Sequence, residues 1–201
     1  MRLTQNGVIP MLNIKKLLPY GLAVIVLSSA ASFSLAATFE FEEPRNETER
    51  LQLVDRLIVE KQWDDALKQM DLALKANPKN VQIQFKRAVV YTRMGQRAKA
   101  KQALTDLIDR YPEIVEPYNN LAAIYASEGN YTKATALLTQ AVTLNPNFAM
   151  GYENLGDLAL QGRHADAQKA LQYYEKALSI TPNDKPLARK TKALKAQLEE
   201  K

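Results

Sequence analysis

The sequence predicts an all-α fold: an α-solenoid of about four helical hairpins closed by a C-terminal helix. Three observations lead there. Pro78, Pro112, Pro146 and Pro182 recur at intervals of 34, 34 and 36 residues. Amphipathic runs precede them, and three end in similar phrases: Met-Asp-Leu-Ala-Leu-Lys-Ala at 70–76, Leu-Thr-Gln-Ala-Val-Thr-Leu at 138–144 and Tyr-Glu-Lys-Ala-Leu-Ser-Ile at 174–180. Between the prolines, Gly95, Gly129 and Gly162 supply turn residues. Such self-similarity at a fixed period marks units that must stack on one another to bury their apolar faces.

The first element is a leader, residues 1–36. A basic start, Asn13-Ile14-Lys15-Lys16, precedes an apolar run from Leu17 to Leu27 and a small-residue stretch from Ser28 to Ala36. Ser34-Leu35-Ala36 puts small residues where a signal peptidase inspects, so cleavage is expected after Ala36. Met11 is a more typical start than Met1 for a leader of this kind. The rival reading is an uncleaved anchor, since Leu17 to Phe39 carries no charge and is long enough to span a bilayer. Either way the remaining chain is exported. Residues 37–46 are an acidic, irregular lead-in.

Four units follow, at 47–80, 81–114, 115–148 and 149–184. The prolines lack a backbone donor and disfavour helix in the residue before them, so each ends a helix. Gly95, Gly129 and Gly162 suit the left-handed turn inside a hairpin. Ala66, Ala122, Ala134, Ala141, Gly156 and Ala170 are small where helices cross at close range. Leu57, Met70, Tyr91, Leu104, Tyr125, Leu138 and Tyr174 fill the space between.

In these residues the chain resembles the tetratricopeptide repeat, a 34-residue pair of antiparallel helices. The third unit carries the pattern most fully, with Tyr118, Leu121, Ala122, Tyr125, Gly129, Tyr131, Ala134, Leu138, Ala141 and Pro146. The second departs from it, with Gln84 and Arg87 at places that are usually apolar. The fourth holds two extra residues between Gly162 and Ala170, which lengthen either its second helix or the turn leading into it. Residues 184–201 read as a capping helix, with Leu187, Thr191, Leu194 and Leu198 on its buried stripe and Lys190, Lys192, Lys195 and Glu199 off it.

Composition narrows the function. Hydrophobic residues make up 46% and charged residues 24%, which is globular composition. Arg2, Lys15 and Lys16 lie in the leader, and the remaining chain holds 24 basic against 22 acidic residues. That balance is too even to drive nucleic-acid binding. The chain has no cysteine, so it has no disulfide, thiol nucleophile or thiolate metal site. Phosphate loops, dinucleotide motifs, zinc sites and calcium loops are missing, and no cofactor is expected. His164, the only histidine, reads as a surface residue in a turn, and Asp64-Asp65 as a dipole-complementing pair at a helix start. No catalytic residue is expected, and the chain is not read as an enzyme.

The resemblance implies a binding groove lined by the first helix of each unit. Its side chains here are Gln82, Phe85, Lys86, Val89 and Arg93, then Glu116, Asn119, Asn120, Ala123 and Ser127, then Glu153, Asn154, Asp157 and Gln161. Lys86, Asn120 and Asn154 hold one place in successive units and form a ladder. An asparagine both donates and accepts, which suits it to an extended peptide backbone. Leu51 and Asp55 occupy places that a clamp for chaperone carboxylate tails would need, so that ligand is not expected. Tyr118 and Tyr152 read as core aromatics. The expected function is a protein-interaction module or scaffold of the bacterial envelope, periplasmic, with another protein or peptide segment as partner. The alternatives are an assembly factor that binds envelope clients and a structural homo-oligomer. Membrane contact is expected only if the leader stays uncut.

Overall fold

A computed structural model describes residues 44, 46–161 and 165–200. The leader, nearly all of the lead-in, Gly162 and His164 lie outside these residues. Among the described residues there are nine helices and no strand. They are α1 (Glu47–Val59), α2 (Trp63–Ala76), α3 (Val81–Arg93), α4 (Arg97–Arg110), α5 (Val115–Ser127), α6 (Tyr131–Leu144), α7 (Ala149–Ala159), α8 (Ala167–Ile180) and α9 (Lys185–Glu199). Consecutive helices pack in pairs, α1 on α2 through α7 on α8, and α9 lies against α8. This is the all-α solenoid that the proline period implies. Among the described residues no helix is long and apolar enough to cross a membrane.

The turns inside the first three hairpins are copies of one another. Lys61, Gly95 and Gly129 all adopt positive φ, at 58°, 71° and 76°. The next residue in each case closes a bond back to the last turn of the first helix: Gln62 N–H to Leu57, Gln96 to Tyr91 and Asn130 to Tyr125, at 2.8, 2.9 and 2.9 Å. The pattern satisfies carbonyls that the helix end would leave open. Lys61 does this with a side chain where the other two hairpins use glycine.

The turns between hairpins also repeat. Asn77, Tyr111, Asn145 and Thr181 precede the prolines, and all take non-helical backbone, as a following proline requires. A bond then spans each proline, from Asn80, Ile114, Phe148 and Asp184 back to those residues at 3.0–3.1 Å. Asn80, Asn130, Asp166 and Asp184 cap the helices that follow them with side-chain oxygens.

The fourth hairpin differs. Its second helix keeps the 14 residues of α2, α4 and α6, so the extra residues do not lengthen it. Instead α7 stops after 11 residues, where α1, α3 and α5 have 13, and the added chain lies in the connection.

Packing follows a small-to-large rule. Ala66, Ala100, Ala134 and Ala170 sit at equivalent places in the second helices, all fully buried. Met70, Leu104, Leu138 and Tyr174 lie one turn further along, also buried. Tyr174 is the bulkiest of these four, and its ring lies over Gly156. A Cβ built there would stand 2.4 Å from the Tyr174 Cε1 atom. The glycine is what admits the ring.

Candidate functional site

The first helices α1, α3, α5, α7 and α9 meet through side chains that recur at the repeat interval. Four rungs can be followed. Lys86 on α3 pairs with Asp55 on α1. Asn120 on α5 stands one repeat on, 34 residues after Lys86. Asn154 on α7 donates its Nδ2 to Asn119 Oδ1 on α5 at 2.7 Å. Lys190 on α9 donates to Glu153 Oε1 at 3.0 Å and Asp157 Oδ1 at 2.7 Å, both on α7. Asp55 and Asp157 hold corresponding places in their helices, so the Lys86 and Lys190 rungs are the same contact made at the two ends. Val89 and Ala123 take that place on α3 and α5. The ladder therefore has an ion pair at either end and two asparagines between, in repeats where Val89 and Ala123 stand at the place of the aspartates.

Burial divides the expected groove residues. Arg93, Glu116, Ala123 and Ser127 are exposed, and Phe85, Lys86, Val89, Asn120, Glu153, Asn154 and Asp157 are half-buried. Asn119 is buried at 8% exposure, with its oxygen taken by Asn154 and its Nδ2 directed to Met150 Sδ at 3.6 Å. Gln82 and Gln161 are exposed at the margins. The Nδ2 of Asn120 has no hydrogen-bond partner among the described residues, so this rung presents an open donor.

The C-terminal rung is held from three sides. Tyr174 donates its hydroxyl to Asp157 Oδ1 at 2.5 Å, and the Lys190 Nζ lies 5.1 Å from the centre of the Tyr174 ring. Burial, then the Asp157 hydrogen bond and the Asp157 and Glu153 charges, push the Tyr174 hydroxyl well above its usual pKa. Burial alone would lower the Lys190 pKa. The hydrogen bonds and charges of Asp157 and Glu153 outweigh it and raise the ammonium above the ordinary lysine value.

Lys190 thus departs from the expectation that it lies on a merely solvated helix face. Leu187, Thr191 and Leu194 are buried as the stripe implies, while Lys192, Lys195 and Glu199 are exposed. The missed signal was arithmetic: Lys190 follows Asn154 by 36 residues, the interval between Pro146 and Pro182. Asp64 and Asp65 are exposed in the first turn of α2. Tyr118 is buried at 6%, and Tyr152 is half-buried against two core clusters. No cluster of residues able to hold a metal occurs among the described residues.

Models of the tetratricopeptide repeat match residues 82–113, 115–148 and 151–184. No curated protein matches the chain in sequence. Among solved structures, MamA protein aligns with a TM-score of 0.59 at 24% identity, covering 77% of this chain and 86% of its own. PilF of Pseudomonas aeruginosa gives 0.66 at 22%, covering 77% and 69%. YrrB, described as a TPR protein with an unusual peptide-binding site, gives 0.58 at 21%, covering 73% and 74%. At these identities the likeness is one of fold.

Proposed function

Because the chain is a tetratricopeptide repeat protein, and so a protein–protein interaction module, we propose that it serves as a scaffold in the bacterial cell envelope, holding an extended segment of a partner protein along its first helices. The segment lies in the window of Phe85, Val89, Asn120, Ala123 and Asn154. The observation that carries this reading is the order of the rungs. The lysines at both ends are neutralised within the fold, while the middle presents amide groups beside small or apolar side chains. An amide rung matches a peptide main chain, which offers alternating donors and acceptors and no charge. The peptide-binding site ascribed to YrrB supports a ligand of this class. Export rests on the tripartite leader, and it predicts a mature chain beginning at Ala37.

The direct test alters the window without touching the packing. Asn120→Ala combined with Ala123→Glu removes the open donor and sets a charge among uncharged groups. The one bond lost is the long 3.5 Å contact in which Asn120 Oδ1 accepts from Asn119 Nδ2, within a single helix. Recovery of the partner on purification is expected to be lost with the melting temperature unchanged. Undiminished recovery would count against the window. Edman or mass analysis of the exported chain checks the Ala37 terminus separately.

A further inference from the structure

A second opening lies between α3 and α4 and shares no residue with the first-helix window. It has a volume of about 270 Å³, and its lining includes Gln84, Arg87, Lys99, Asp106 and Arg110. A comparable opening of about 230 Å³ lies at Leu155, Lys169 and Tyr173 in the fourth hairpin. The opening between α3 and α4 differs in its polar lining, because the second hairpin breaks the rule of its neighbours. Where the next two repeats have Tyr118 and Leu121, then Tyr152 and Leu155, this one has Gln84 and Arg87. Two flexible polar side chains replace a ring and a branched apolar chain.

The polar groups there are left incomplete. Gln84 is only 5% exposed; its Nε2 donates to the carbonyl of Pro78, and its Oε1 has no partner. Arg87 Nε is buried without an acceptor. Its outer nitrogen makes only a long contact of 3.4 Å with Asp71, a carboxylate 67% exposed. Lys99 lies over the Tyr91 ring at 5.5 Å. Arg110 spends its Nε on the main-chain carbonyl of Asp106, and the Asp106 carboxylate accepts from Gln102 at 2.8 Å. Three cations therefore line the opening with one carboxylate, Asp106, which is already bonded, while Asp71 reaches Arg87 from outside the lining. An acceptor without a donor and a donor without an acceptor thus belong to two residues lining the same opening, and leaving such buried groups unpaired is unfavourable.

We propose that this cleft receives an acidic residue of a partner polypeptide, its carboxylate taken by the Arg87 guanidinium and its main-chain N–H by Gln84 Oε1. An acidic residue within a peptide supplies both of the missing groups together, and the surplus positive charge favours its approach. Arginine suits the role because its planar fork matches a carboxylate. The Asp71 contact is long and solvated, so it yields to an incoming carboxylate.

The experiment uses the full chain, labelled with nitrogen-15, titrated with N-acetyl-glutamate N-methylamide and, in parallel, with the glutamine counterpart. The Nε–H signal of Arg87 and the side-chain amide of Gln84 report directly on the cleft. The acidic probe is expected to shift both signals saturably, and the neutral probe is not. Arg87→Leu installs the residue that Leu121 and Leu155 provide in the neighbouring repeats, so the hairpin keeps its packing. In that variant the affinity, read from the Gln84 amide, is expected to fall on the order of tenfold or more. Equal shifts from both probes, no saturation with the acidic one, or undiminished affinity in a folded Arg87→Leu chain would each overturn the proposal. So would tighter binding of inorganic phosphate at the same signals.

Discussion

Gln84 donates to the carbonyl of Pro78 at 2.6 Å, and one repeat later Tyr118 donates to the carbonyl of Pro112 at 3.0 Å. The same place in the repeat does the same work with different chemistry. In each case a side chain from the first turn of a helix ties down the proline turn that precedes it. The tyrosine also fills the space behind its hydroxyl, whereas the glutamine leaves its Oε1 buried and unpaired. Gln84→Ala should therefore lower stability by roughly 0.5–1.5 kcal/mol, because the turn loses its tie. Gln84→Tyr should recover that loss and exceed the parent. Urea midpoints of the three chains check the order.

The first hairpin turn stores strain that its neighbours avoid. Lys61 adopts φ of 58° at the place where Gly95 and Gly129 stand. A side chain in the left-handed region costs energy that glycine does not incur. Lys61→Gly is expected to stabilise the chain by about 0.5–1 kcal/mol, the gain in strain offset in part by a freer unfolded state. Gly95→Ala should destabilise by about 1 kcal/mol, since nothing near its Cβ can compensate. Thermal melts of both variants decide the matter, and opposite signs are the expected result.

Gly156 and Tyr174 are a matched pair. Gly156→Ala places a methyl 2.4 Å from the ring, and overpacking of this kind costs about 1–3 kcal/mol. Tyr174→Leu restores the residue found at Leu104 and Leu138, whose repeats carry Ala88 and Ala122 in the glycine's place. The double variant should be more stable than the sum of the two single changes implies. A double-mutant cycle measures that coupling.

Alkaline pH should loosen the C-terminal end first. The unfolded chain gives up its tyrosine and lysine protons near their ordinary values, roughly pH 10. The folded chain keeps those of Tyr174 and Lys190 to higher pH, because both are raised. Their stabilisation is thus complete below that point and is lost as pH rises through the folded values. Tyr174→Phe should make the fall in stability above roughly pH 10 less steep, which urea titrations at stepped pH would record.

Much of the fold was legible because stacking imposes periodic demands on single residues. Prolines stop helices, alanines admit crossings and left-handed turns call for glycine, and each demand returns every 34 residues. The exceptions are places where one residue answers the demand differently. Lys61 takes a left-handed turn with a side chain, Gln84 ties a turn without a ring, and α7 ends early to leave room for a longer connection. The candidate site was less legible. Its character depends on pairs such as Lys86 with Asp55 and Lys190 with Asp157, which join neighbouring repeats. A reading that compares equivalent places sees one member of each pair and takes it as open to solvent. Only the joined helices show that the terminal lysines are neutralised, that Asn154 is bonded to Asn119, and that uncharged amides stand between the two ion pairs.

The central claim is that the window around Asn120 receives a polypeptide. A photoreactive side chain introduced at Asn120 in living cells tests it most directly, with the same group at Lys133, exposed on α6, as the comparison. The account predicts a discrete adduct with a protein chain from position 120, weakened by Ala123→Glu and missing from position 133. No adduct at position 120, or equal adducts at both positions, would contradict it.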